Sequence, residues 1–142
     1  RSVRLQPCSP RGRRTCRPFG AAFAADLEPT VTFTLNGGVS ASGFVYVGVG
    51  GDIDGIENPD LVVTVGDVVE IVLYTTDGMA HDFAIDEIDV LSDKATVIGE
   101  PITYVFEVNE AGEWIYWCTE PGHALKEIGF GMLGNFIALE AE

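Results

Sequence analysis

From Thr30 onward, short stretches of alternating apolar and polar residues recur about every ten positions, and no other feature constrains the fold as tightly. In Thr30-Val-Thr-Phe-Thr-Leu35, Val31, Phe33 and Leu35 fall on one face and the threonines on the other. Phe44 to Val49 is rich in β-branched and aromatic residues, and Leu61 to Val65, Val68 to Thr75 and Ile102 to Val108 read the same way. Glu113 to Cys118 and Asn135 to Glu140 complete the set, with His81 to Ile85 as a shorter member. Turn residues separate them at Gly66-Asp67, Asp77-Gly-Met-Ala80 and Asn109-Glu-Ala-Gly112. The best helical candidate, Ala124-Leu-Lys-Glu127, is about one turn long. Seven to eight short strands joined by Gly-rich or acidic turns predict an all-β Greek-key β-sandwich.

The 142 residues leave room for one core. Residues 1–20 mix Arg, Pro, Ser and Cys without apolar periodicity, so residues 1–25 are expected to be a tail and residues 26–142 the domain. Ala22-Phe23-Ala24 is similar to the small-residue end of a signal peptide, although the apolar core that should precede it is missing. A periplasmic or extracytoplasmic location is the expectation. The first residue is Arg1 and the first methionine Met79, so a fragment, a processed product or an imperfect reading frame is expected. No apolar run approaches the roughly 18 residues that span a bilayer, and direct membrane insertion is not expected.

Charge is divided unevenly along the chain. Six of the eight basic residues lie in the first twenty positions, which hold no acid. Positions 21–142 carry two lysines, Lys94 and Lys126, against 22 acids, hence a net −20. Such a body repels nucleic acid and anionic lipid, and it suits a basic partner or a high-salt milieu. Asp52-Ile-Asp54-Gly55 has the spacing that opens a calcium loop, but the later ligands do not follow in register, and the segment reads as an acidic turn.

The chemistry is concentrated in Trp114-Ile-Tyr-Trp-Cys118-Thr-Glu-Pro-Gly-His123, with Met132 just before the last strand. Trp114, Tyr116 and Cys118 share a strand face, which puts the sulfur at the end of the core. The other histidine, His81, follows the Asp77 turn. Singly, each has a plainer reading: a histidine at a strand end is usually a surface residue, and a lone Cys or Met usually fills the core. Together, in this order on an all-β pattern, His81, Cys118, His123 and Met132 form the two-histidine, one-cysteine set with a weak axial thioether that defines a blue-copper site.

At these residues the chain resembles the cupredoxins, the family of plastocyanin, azurin and halocyanin. The likeness covers residues 30–142 and rests most on Gly112-Glu-Trp-Ile-Tyr-Trp-Cys118 and Cys118-Thr-Glu-Pro-Gly-His123. Phe44-Val-Tyr-Val-Gly-Val-Gly-Gly-Asp-Ile-Asp-Gly55 and His81-Asp-Phe-Ala-Ile85 look most like the cupredoxin domains fused to copper nitrite reductases and multicopper oxidases. The resemblance implies one type 1 copper cycling between Cu(II) and Cu(I), with Nδ1 of His81 and of His123, the Cys118 thiolate and the axial Met132 sulfur as ligands. It also implies that His123 lies at the surface as the electron port, flanked by Met79, Ala80, Pro121, Gly122, Ala124 and Leu125. The implied partner is a basic redox protein, a cytochrome c or a copper oxidoreductase, steered by acids such as Glu120 and Glu127.

Two departures stand out. Eight residues, Ala124 to Gly131, separate His123 from Met132, a longer spacer than the family keeps, and the surplus is expected to bulge outward. The family's usual Asn after the first histidine is Asp82 here; it is expected to bond Thr119, tie the ligand loops together, and lower the potential through its charge.

Other chemistries fit less well. A dinuclear copper centre needs a second cysteine in the ligand loop, and that loop holds Cys118 alone. A Cys118–His123 nucleophilic pair lacks a recognisable oxyanion site, and structural zinc leaves Met132 without a role. Copper nitrite reduction needs further histidines from other domains, so on its own the chain is expected to be an electron carrier rather than an enzyme. The alternative is the N-terminal cupredoxin domain of a larger copper nitrite reductase or multicopper oxidase, and a copper-free or zinc-binding β-sandwich interaction module stands behind both.

Overall fold

A computed structural model describes residues 27–141. The expectations for the tail and for Ala22-Phe23-Ala24 lie outside the described residues. Among the described residues, no helix is long and apolar enough to cross a membrane.

The strands are β1 (Val31–Ser40), β2 (Gly43–Val49), β3 (Leu61–Thr64), β4 (Val68–Thr75), β5 (Ala84–Ile85), β6 (Val90–Leu91), β7 (Ile102–Glu107), β8 (Gly112–Trp117), β9 (Ala124–Leu125), β10 (Phe130–Gly131) and β11 (Leu133–Leu139). Seven of these have four residues or more and match the sequence pattern; the other four are two-residue ladders, of which β5 falls in the expected short strand His81 to Ile85 and the rest are too short for periodicity to reveal. Among the described residues, helix is confined to three single 3-10 turns, one of them, Lys126–Ile128, overlapping the candidate helical segment Ala124–Glu127.

The strands form two packed sheets, ordered β2-β1-β4-β7 and β3-β11-β8-β5-β6, and a separate β9–β10 hairpin. Successive strands often change sheet. β3 and β4 are joined by a tight turn in which the Thr64 amide donates to Asp67 Oδ2, yet β3 pairs with β11 and β4 with β1 and β7. This crossing traffic makes the Greek-key sandwich. Inward residues alternate with outward ones along β4, where Val69, Ile71, Leu73 and Thr75 are buried and their neighbours partly exposed.

The core fills the space between the sheets with Leu35, Leu61, Ile71, Leu73, Phe83, Ile85 and Phe136, all without solvent exposure, and their buried neighbours. Burying such a side chain stabilises by roughly 1.5–3 kcal/mol. Toward one end the packing turns aromatic: Tyr116 lies 5.1 Å from Phe83 and 5.2 Å from Tyr46, centroid to centroid. The tyrosine hydroxyls donate to the backbone carbonyls of Asp82 (from Tyr46) and Pro59 (from Tyr116), so both polar tips are satisfied in the interior. That end of the sandwich carries the site.

Candidate metal centre

Three chain segments meet there. β8 ends at Trp117 and hands Cys118 into the following loop, where its amide donates to the Met132 carbonyl at 3.1 Å. The next turn is closed by the His123 amide on the Glu120 carbonyl, and the Met132 amide returns to the His123 carbonyl at 2.9 Å. His81 arrives on the segment between β4 and β5, its backbone held in two directions by Ala95. His81, Cys118 and His123 thereby bring their donor atoms within 4.8 Å of one another, all buried. Cys118 Sγ stands 3.6 Å from His123 Nδ1, and the two imidazole centroids are 4.9 Å apart.

Met132 is fully buried beside them. A Cβ built on Gly37 would come within 2.9 Å of both Met132 Cε and His81 Cγ, so the methionine and the histidine pack against the same bare stretch of β1. Gly37 is therefore part of the site through its missing side chain, and a strand interior, where glycine is weak, tolerates it for that reason.

His81 Nε2 lies 2.9 Å from Asp77 Oδ1, while His81 Nδ1 is buried with no partner. An unpaired nitrogen in a dry interior is costly unless something outside the polypeptide takes its lone pair. Two imidazole nitrogens, one of them orphaned, a buried sulfur and an adjacent thioether fit a copper ion. They fit zinc less well, since zinc favours four N, S or carboxylate ligands.

Burial pushes the Cys118 thiol up to about 11, against the bonds from the backbone at Asp82 and Glu120 that favour the thiolate. Burial, followed by the nearby His81, lowers His123 below its ordinary value. The metal-free site thus holds a neutral thiol and a neutral His123 imidazole at pH 7. Asp82, itself 1% exposed, accepts from the Thr119 amide at 2.7 Å and from the Thr119 hydroxyl, and pairs with Lys94 Nζ at 2.9 Å. Burial opposes its charge, but the Thr119 and Lys94 bonds outweigh that and hold it below the usual carboxylate range.

The Asp82–Thr119 bond expected from the sequence is present, with a difference. Lys94 pairs with Asp82 and also with Glu120 Oε2 at 2.9 Å, so the added charge of Asp82 does not stand alone. His123 also departs from the surface position that the resemblance implied: it is 6% exposed, because Phe44 stacks on it at 3.9 Å and 16°. The surplus residues between His123 and Met132 form the β9–β10 hairpin, tied to the body by Asn58, which takes the Tyr46 amide on Oδ1 and donates from Nδ2 to the Gly131 carbonyl. Asp77, Phe44, Asn58, Lys94 and Gly37 were not legible as site residues. Only Asp77 left a signal, as an acid one helical turn's worth of sequence before His81.

No family model matches the sequence, and no curated protein matches it. Solved structures do. The periplasmic domain of subunit II of cytochrome oxidase from Bradyrhizobium japonicum superposes with a TM-score of 0.54 at 17% identity, covering 80% of this chain and 87% of that one. Auracyanin A, a blue copper protein of Chloroflexus aurantiacus, gives 0.51 at 17% identity over 75% of this chain and 98% of its own. This chain has the cupredoxin fold. A third cupredoxin-fold match, the copper-containing nitrite reductase of Thermus scotoductus, reaches 0.50 at 22% identity over 79% of this chain but only 28% of the reductase.

Proposed function

We propose that this cupredoxin-fold chain transfers electrons through one type 1 copper held by His81, Cys118 and His123, with Met132 as the axial ligand. The observation that carries the reading is the convergence of the three donor atoms within 4.8 Å around a buried His81 Nδ1 that no protein group satisfies. Bound there, copper would supply a one-electron Cu(II)/Cu(I) couple. The polypeptide does the rest. Cys118 gives up its proton and becomes the thiolate, and the two imidazoles present ring-nitrogen lone pairs. Gly37 and the aromatic cluster keep water out, and the hydrogen-bonded loops hold the donors in place through the change of charge.

The face beside His123 suits close approach of a redox partner. Pro121 and Gly122 are exposed, and Met79 and Leu125 are 44% and 46% exposed. Leu125 pairs across the hairpin with Phe130, and Ile128 stands at its tip. Residues 27–141 hold 20 acids against Lys94 and Lys126, and both lysines are occupied by carboxylates. The partner that fits is a basic redox protein with an apolar contact surface, met outside the cytoplasm.

An absorption spectrum of the purified protein after copper addition tests the reading. An intense visible thiolate-to-Cu(II) band that bleaches on reduction is expected, and Cys118→Ser should abolish it with the sandwich intact. A colourless protein that takes zinc in preference to copper would overturn the assignment. The match to part of a copper-containing nitrite reductase favours a second reading, a cupredoxin domain within a larger copper oxidoreductase. The mass of the native polypeptide tests it.

A further inference from the structure

Asp77 sits in the turn after β4, four residues before His81. Its Oδ1 accepts from the Met79 amide at 3.0 Å and faces His81 Nε2 at 2.9 Å; the Thr75 hydroxyl, whose one proton is shared with the Met79 carbonyl at 2.8 Å, lies 3.0 Å from the same oxygen. Its Oδ2 is buried without a partner, as is His81 Nδ1 on the opposite side of the ring. An ionised carboxylate only accepts, so the proton in the Asp77–His81 contact belongs to Nε2. A neutral imidazole carries one such proton, which leaves the Nδ1 lone pair free and directed away from Asp77. Among the described residues both lysines are engaged elsewhere, so no cation neutralises this carboxylate.

We propose that Asp77 is a positioning residue for the metal centre: it locks His81 in the Nε2–H form and strengthens Nδ1 as a ligand for Cu(II) over Cu(I). The proposal rests on the copper reading above. A carboxylate on the far nitrogen draws the N–H toward itself, raises electron density at Nδ1 and fixes the ring plane. Its negative charge, one imidazole away from the metal position, favours a divalent ion over a monovalent one. The turn alone does not require this arrangement, because the Met79 amide on Oδ1 and the Thr75 hydroxyl on the Met79 carbonyl already close it.

Three variants separate positioning from simple turn-building. Asp77→Asn keeps an acceptor oxygen and drops the charge; Asp77→Ala drops both; Thr75→Ala removes the hydroxyl shared between that oxygen and the Met79 carbonyl and keeps the charge. Nitrogen-15 NMR of the metal-free protein should show His81 protonated at Nε2 in the wild type and Asp77→Asn, and a tautomer mixture in Asp77→Ala. Asp77→Asn should bind Cu(II) about tenfold more weakly with Cu(I) affinity little changed. That tenfold change is a rise in midpoint potential of about 59 mV for one electron. Thr75→Ala should leave the potential in place. The proposal falls if Asp77→Ala has the wild-type tautomer, if Asp77→Asn leaves the potential untouched, or if Thr75→Ala shifts it as far. Should the wild type take up no copper, the functional reading fails, while the metal-free tautomer comparison still decides whether Asp77 locks His81.

Discussion

Thr119 holds Asp82 by both carboxylate oxygens, its amide on Oδ1 at 2.7 Å and its hydroxyl on Oδ2. This pair joins the loop that carries His81 to the loop that carries Cys118 and His123, 37 residues further along the chain. The two loops adjoin β5 and β8, which pair at Ala84 and Trp117, and a charge-assisted bond to the buried Asp82 is what keeps their spacing fixed. Thr119→Val removes the hydroxyl and preserves shape. A hydrogen bond to a charged group is worth about 2 kcal/mol, so urea unfolding should show a loss of that order at unchanged m-value. Because the folded state holds Asp82 below its ordinary value, its contribution is present above the unfolded pKa of about 3.9 and is lost as pH falls through the folded value. Asp82→Asn should flatten that acid limb.

Gly37→Ala would push a methyl against His81 and Met132 at once. Overpacking of this kind costs about 1–3 kcal/mol. The expected result is a shift in the visible band together with lower thermal stability. An unchanged spectrum with wild-type stability would mean that the backbone can retreat from the site.

Proton release reports on the thiol. At pH 7 the metal-free Cys118 is protonated, with its value near 11, whereas His123 is already neutral because its value is lowered. Binding of Cu(II) or Co(II) should therefore release one proton, which indicator titration in weak buffer reads directly. Between neutral pH and the thiol value the affinity should rise about tenfold per pH unit, since metal and one proton compete for the same sulfur.

Electron transfer from basic and neutral protein donors, measured by stopped flow across a salt series, tests the docking face. Screening over about 8 Å at physiological ionic strength should cost the basic donor most of its advantage between low and moderate salt. Glu127→Gln should weaken that dependence more than Glu120→Gln, because Lys94 already pairs with Glu120. Leu125→Ser and Phe130→Ser should slow both donors and leave the spectrum in place. Parallel salt curves for the two donors would remove the steering argument and leave salt tolerance as the role of the acids.

The sequence by itself determined the strands and the kinds of donor. Side chains alternate across a strand, so a period of two in the apolar residues names both the element and its buried face. The residue types at His81, Cys118, His123 and Met132 carry their chemistry wherever they lie. Pairing was left to the tertiary structure. A buried face does not say which strand lies beside it, and Leu61–Thr64 and Val68–Thr75, adjacent in sequence, belong to opposite sheets. Nor could periodicity extend β1 through Gly37 and Gly38, since glycine weakens a strand and its reason to be there is a histidine and a methionine from distant segments. Lys94 on Asp82, Phe44 on His123 and the Asn58 bridge to Gly131 share that origin: each contact closes a long loop, and only the packed fold brings its two ends together.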